Sequence, residues 1–236
     1  NYAVSSYTPT LTALLDPPQT SAPFKMTAIC EPYAPGSSGL PGTAKEMEMI
    51  ERHVPKAWLE SLWSPESSEA VRHLLDSSLV HFACHGVQDS GNPLDSGLLL
   101  ADGRLKVSGI MRRQDSDVDE GNTGGKPMSL AFLSACQTAK GDETTPDEMM
   151  HLAAALLFAG FRGVVATMWT IADEDGPKVA DAFYDYLFRD CDHKATPPQL
   201  PDLTKAAEAL HFAVLELRQE PAMSFARWVP FVHHGL

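Results

Sequence analysis

The stretch Ser129-Leu130-Ala131-Phe132-Leu133-Ser134-Ala135-Cys136-Gln137-Thr138 constrains this chain most. Its first half is an apolar run short enough to be a strand buried on both faces, and it breaks into small and polar residues around a lone thiol. A second run of the same shape, Leu79-Val80-His81-Phe82-Ala83-Cys84-His85-Gly86, breaks at a histidine followed by a glycine. Reactive groups of open α/β sheets sit just past the carboxyl ends of such strands. Two adjacent parallel strands ending this way would set the imidazole of His85 beside the thiol of Cys136.

Composition bounds the alternatives. The chain has 236 residues and is 44% hydrophobic, enough for one large α/β domain or two small ones, and no motif recurs at a fixed period. It opens on Asn1 and reads as a piece cut from a longer polypeptide. Eighteen Lys and Arg against 31 Asp and Glu leave a net charge of −13, which argues against a nucleic-acid footprint and mildly favours a basic substrate or partner. The most apolar segment, His151 to Trp169, is interrupted by Gly160 and Arg162, short of the roughly 20 residues needed to cross a bilayer. No secretory signal is visible. None of the four cysteines forms a Cys-x-x-Cys pair, so reduced thiols in the cytoplasm are the simplest reading.

In chain order, Tyr2 to Tyr7 alternates like an edge strand, and a short helix is expected near Leu11 to Leu15 before a proline-bearing loop. Phe24 to Cys30 is the first core strand. After a loop from Glu31 to Pro41, Thr43-Ala44-Lys45-Glu46 matches a capping box at the head of a helix bearing Met47, Ile50 and Val54. Ser68 to Leu75 reads as a short helix, and Leu98 to Ala101 as a strand before an Asp102-Gly103 turn. Residues 112 to 127 lack apolar periodicity and are expected to be a mobile surface loop. Thr145-Pro146-Asp147-Glu148 combines N-cap, first-turn proline and capping glutamate ahead of a helix that stops at Gly160. A strand from Gly163 to Met168 then completes a strand-helix-strand crossover. Asp173 is expected to cap a helix to about Arg189 with Val179, Phe183 and Leu187 inward. Asp202 is expected to cap a helix from Leu203 to about Gln219, and a strand near Trp228 to Val232 closes the chain. His233 and His234 read as tail residues.

Several motifs stand in a fixed order: His81-Phe82-Ala83-Cys84-His85-Gly86, Leu133-Ser134-Ala135-Cys136-Gln137-Thr138-Ala139 and Ala159-Gly160-Phe161-Arg162-Gly163-Val164-Val165-Ala166-Thr167-Met168-Trp169. With Val4 to Thr10 at the start and Trp228-Val229-Pro230-Phe231 at the end, they resemble the CHAT family, caspase-like domains associated with tetratricopeptide repeats. Caspases carry their cysteine in Gln-Ala-Cys-(Arg/Gln/Gly)-Gly with a histidine about 50 residues upstream, and here the two positions are 51 apart. The resemblance implies an α/β fold, caspase-like, with a mostly parallel central sheet flanked by helices on both faces, in a single domain over residues 1–236. It also implies a cysteine endopeptidase acting through a His-Cys dyad on polypeptides. An attached sensor, repeat region or activator protein would switch it on, and no metal or organic cofactor would be needed.

A free cysteine is only a few per cent thiolate at neutral pH, so use as a nucleophile needs a nearby base. His85 would take the Cys136 proton and later give it to the leaving amine. In caspase-like folds the oxyanion is held by the amides of the glycine after the histidine and of the nucleophile, here Gly86 and Cys136. The plain alternative is a buried small hydrophobe at 136, a hydrogen-bonded histidine at 85 and a turn glycine at 86. Trp169 and Asp173 follow the next strand, where the resemblance puts part of the pocket for the residue before the scissile bond. An aspartate there would favour a basic side chain and the tryptophan an apolar one. Asp173 is equally explained as a helix cap. No arginine-rich acid-binding pocket is evident. Strand alternation turns Cys84 away from its neighbour, and Cys84, Cys30 and Cys191 read as packing. The rival reading of the whole chain is a catalytically silent module that keeps the fold for interaction or scaffolding. An acyltransferase using the same thiol is a second rival.

Overall fold

The structure is a computed structural model that describes residues 3–8, 23–87, 89, 91–116, 129–134 and 149–235. Apolar runs too short for helices make its strands. β1 (Met26–Cys30) leads through a loop to α1 (Gly42–His53), then β2 (Leu59–Trp63), α2 (Ser67–Leu75) and β3 (Leu79–Ala83). The two-residue β4 (Gly86–Val87) is followed by β5 (Gly97–Leu100), β6 (Gly103–Lys106) and α3 (Val107–Ser116). β7 (Leu130–Leu133), α4 (Met149–Phe158), β8 (Gly163–Thr167), α5 (Asp175–Phe188), α6 (Ala206–Arg218), α7 (Phe225–Trp228) and β9 (Phe231–Gly235) complete the described chain.

Among the described residues the main sheet runs β2-β1-β3-β7-β8-β9, parallel from β2 to β8 and antiparallel at β9. Every residue of β1, β3, β7 and β8 is buried, as a parallel sheet covered on both faces requires. Alternation splits each strand between two cores. Leu79, Leu130, Phe132 and Val165 pack with α1, α5 and α6. Val80, Phe82, Cys84, Ala131, Leu133 and Val164 pack with α2, α3 and α4. The expected mostly parallel sheet with helices on both faces is therefore present. Cys84 lies on the face opposite Leu79, in the second core.

Several local expectations are overturned by distant partners. Thr43 caps nothing, because α1 begins one residue earlier and the Thr43 hydroxyl donates to Leu40 O (2.7 Å). Glu46 does not reach back to the helix start either: it is buried and stands 3.1 Å from His81 Nε2. Asp173 does not cap α5, whose N-cap is Glu174 without a side-chain bond. α3 runs to Ser116, into the segment expected to be loop, while residues 117–127 lie outside the described residues. The Leu98 strand is half of a hairpin, β5 pairing with β6 in a small antiparallel sheet with β4. His233 and His234 are buried in β9 rather than in a tail, and α7 occupies the start of the strand expected at Trp228. Among the described residues of the expected N-terminal strand, Tyr7 bridges to β9. The expected helix near Leu11 and the Thr145 cap lie outside the described residues, but the body of the helix expected after that cap is present as α4, which ends just before Gly160.

Candidate active site

β1, β3, β7 and β8 run parallel and present their carboxyl ends at one edge of the sheet. β3 and β7 pair Leu79 with Leu130 through Phe82 with Leu133, and Ser134 N donates to Phe82 O at 3.0 Å. β7 is described as far as Ser134, so Cys136 lies outside the described residues. β3 leaves the sheet at Cys84, and His85 follows at the edge.

His85 is 2% exposed, and its Nε2 lies 2.6 Å from Ser38 O. A carbonyl oxygen only accepts, so the proton of the neutral ring is assigned to Nε2, leaving Nδ1 with a free lone pair. That Nδ1 is buried, and no described residue bonds to it. A buried acceptor without a partner is costly and calls for an explanation. Ser38 belongs to the loop between β1 and α1. Glu31 N ties the start of that loop to Ala83 O (2.9 Å), and Leu40 N donates to Pro32 O (2.9 Å). Ser37 donates through both its amide and its hydroxyl to Ala34 O, across a turn in which Gly36 takes φ +77°.

Gly86 opens β4 opposite Leu98. Leu99 N donates to His85 O at 2.8 Å, which makes 85 and 99 a hydrogen-bonded pair of the antiparallel ladder. Such pairs alternate with non-bonded ones, so the Gly86 amide points away from β5.

Trp169 is half-buried and donates through Nε1 to Ala226 O (2.9 Å). Asp173 Oδ2 accepts from Gly42 N (2.7 Å), the first-turn amide of α1. Its carboxylate is thus engaged by a helix that the sequence reading did not connect with it. Next to it, buried Asp175 accepts from Arg227 Nε (2.8 Å), and Glu174 also pairs with Arg227. The segment after β8 is thereby fastened both to α1 and to α7.

None of the described cysteines forms a disulfide, and all are poorly suited as nucleophiles. Burial pushes the thiols of Cys30 and Cys191 up to about 11, and Cys84 is fully buried. Two features were not anticipated: the Ser38 carbonyl, and the buried network of His81, Tyr184 and Glu46. The first is a backbone atom and has no residue-type signal. The second was visible only as a histidine in an apolar run. Among the described residues no group of three His, Cys, Asp or Glu is placed to hold a metal ion, and no helix is long and apolar enough to cross a membrane.

Comparison with solved structures finds gingipain R, an Arg-specific cysteine proteinase, at TM-score 0.48 and 11% identity over 89% of this chain and 46% of that one. It also finds a secreted C11 cysteine protease from Bacteroides thetaiotaomicron in complex with an irreversible peptide inhibitor. There the TM-score is 0.44 with 9% identity, over 87% of this chain and 63% of the other. This chain thus spans less than two thirds of either. No curated protein sequence matches significantly. The family model of the CHAT domain matches residues 1–236, its whole length. A mostly parallel sheet carrying, at its carboxyl edge, a buried histidine with one nitrogen that no described residue bonds is accordingly the fold of a chain that belongs to the CHAT domain family.

Proposed function

We propose that this chain is a cysteine endopeptidase in which Cys136 is the nucleophile and His85 the general base and acid. The observation that carries the reading is His85 itself, buried at the carboxyl edge with Nε2 committed to Ser38 O and Nδ1 bonded by no described residue. The strand register supports it. β3 and β7 pair with an offset of 51, Leu79 against Leu130, which is also the separation of His85 and Cys136.

The Cys136 S–H proton passes to His85 Nδ1, and the thiolate attacks the scissile carbonyl carbon. The oxyanion that forms is held by the amides of Gly86 and Cys136, a pair of donors worth roughly 3 kcal/mol of barrier each. The outward turn of the Gly86 amide supports that role. Collapse breaks the C–N bond, and the imidazolium hands its proton to the leaving amine. Water, deprotonated by the same nitrogen, then cleaves the thioester. Trp169 forms a wall of the pocket for the residue before the scissile bond. Asp173, the other pocket candidate, has one oxygen engaged by α1. The substrate is a polypeptide, the net charge of −13 favours basic segments of it, and the site of action is the reducing cytoplasm. A regulatory region or activator outside this chain controls it.

The test is turnover of a peptide library by the native protein, alone and joined to its neighbouring domains, beside Cys136→Ala. Cleavage by the native protein that disappears in the variant is expected. Equal cleavage by both, or none by either form, defeats the assignment in favour of an interaction module, and acyl transfer from a thioester donor would make the protein an acyltransferase.

A further inference from the structure

We propose that Asp173 is a positioning residue for His85: by holding the first turn of α1 it keeps Ser38 O against His85 Nε2 and so decides which ring nitrogen is the base. The inference rests on the reading of His85 as the base. The first amides of a helix have no partner within it, and the N-cap of α1 is Pro41, which offers no side-chain acceptor. Asp173 Oδ2 supplies one at 2.7 Å, across 131 residues of sequence, with its charge at the positive end of the helix dipole. Contact is close on every side. A Cβ built on Gly42 would stand 2.7 Å from both Asp173 Cγ and Oδ1, and closer still to the Asp173 carbonyl.

That contact fixes the far end of the loop whose near end is held by Glu31 N on Ala83 O. Ser38 lies between the two anchors in a loop that Leu40 N closes on Pro32 O, and Leu40 O in turn accepts from Thr43 N and Oγ1 in the first turn of α1, so the position of that turn is passed to the loop. Loosening the α1 end frees Ser38 O to withdraw from the ring. A neutral imidazole without a fixed acceptor on Nε2 divides its proton between both nitrogens. In the tautomer with the proton on Nδ1, that nitrogen has no lone pair to receive the thiol proton. Asp173 itself touches neither the ring nor the reacting atoms. It acts through α1 and the loop.

The test uses the protein labelled with 15N-histidine, in which NMR reads the tautomer of His85, alongside kinetics on a cleaved peptide. In the native protein the Nε2–H form dominates. Asp173→Ala is expected to shift the tautomer ratio several-fold and to lower kcat about 10-fold with KM within twofold, the mark of lost positioning. Asp173→Asn keeps an oxygen acceptor and should restore most of both. Asp181→Ala removes a contact of similar kind at the other end of α1, where Asp181 Oδ1 lies 2.6 Å from His53 Nε2, and should leave His85 unchanged. Should Asp173→Ala not fold, Asp173→Leu, close in shape to Asp173→Asn but without an acceptor, takes its place with the same expectations. An unaltered tautomer and kcat in the folded variant, or an equal shift in Asp181→Ala, overturns the proposal. A native protein that cleaves nothing defeats the protease reading alone, because the NMR comparison still decides the role of Asp173.

Discussion

His81 and His85 stand four residues apart on the segment formed by β3 and its exit, both almost wholly buried, yet their surroundings differ. His81 lies mid-sheet, stacked on Phe132 at 4.9 Å between ring centroids. Its Nδ1 is hydrogen-bonded to Tyr184 OH (2.9 Å), and its Nε2 faces Glu46 Oε1 at 3.1 Å, a close approach though poorly aligned for a hydrogen bond. Burial first, and the Glu46 charge second, push the Tyr184 phenol well above its usual range, so it keeps its proton. His85, at the strand end, has one nitrogen spoken for by a backbone carbonyl and the other by no described residue. Helices cover the first ring from α1 and α5. The second lies where the chain has left the sheet. A polar group enclosed by partners holds a core together, whereas one with a lone pair to spare at a strand end is available for chemistry.

The comparison is broken most directly by His85→Gln. Its expected effect is a fall in kcat/KM of about 10⁴-fold with a stability change of only about 1 kcal/mol, read by peptide turnover and urea unfolding on the same preparation. A variant that keeps its turnover would make His85 another structural histidine. The mirror-image result is expected for His81→Leu. Removing that ring leaves Glu46 and the Tyr184 hydroxyl buried without their partner, a loss of roughly 3 kcal/mol. The midpoint of urea unfolding should drop while the folded fraction still turns over substrate.

His233 sharpens the contrast, because it too is buried with an unused nitrogen. Its Nδ1 donates to Ser6 Oγ (2.7 Å), whose own proton goes to Gly235 O, and Nε2 has no hydrogen-bond partner among the described residues. It lies opposite Val165 inside the β8–β9 ladder, away from the edge where β3 and β7 end. Burial, and to a smaller extent His234, pushes its ionisation down to about 4 from an ordinary 6.5. Its contribution is therefore complete above about pH 6.5. It is lost as the pH falls toward 4, where the unfolded chain binds a proton that the folded one refuses. The loss amounts to roughly 3 kcal/mol, and burial pushes His234 in the same direction. Unfolding curves at pH 7 and pH 4.5 should show this slope in the native protein and a flatter one in His233→Gln. An equal slope in both would assign the acid sensitivity to other groups.

Much of the frame was legible because strand signals are local. Runs such as Leu79–Ala83, Leu130–Leu133 and Gly163–Thr167 are buried on both faces and so are apolar throughout. The edge strand β2 was missed because its Leu-Glu-Ser-Leu-Trp is half exposed and carries a mixed pattern. Helix starts were the weakest reading. Thr43 and Glu46 have the residue types of a capping box, but an orphan amide donates to any well-placed oxygen, and Asp173 supplied one from the segment after β8, 131 residues along the chain. Asp102 does the same for α2, accepting from Ser67 N and Oγ at 2.9 and 2.8 Å.

By itself, then, the sequence determined the family, the buried strands, and the positions where a histidine and a cysteine interrupt them, because each of these is written in a few consecutive residues. Only the tertiary structure decided that Ser38 O orients His85, that Asp173 serves α1, that His81 is locked between Tyr184 and Glu46, and that His233 is interior. Those outcomes depend on which polar atoms packing brings to about 3 Å of one another across dozens to more than a hundred residues, and no local pattern encodes that distance.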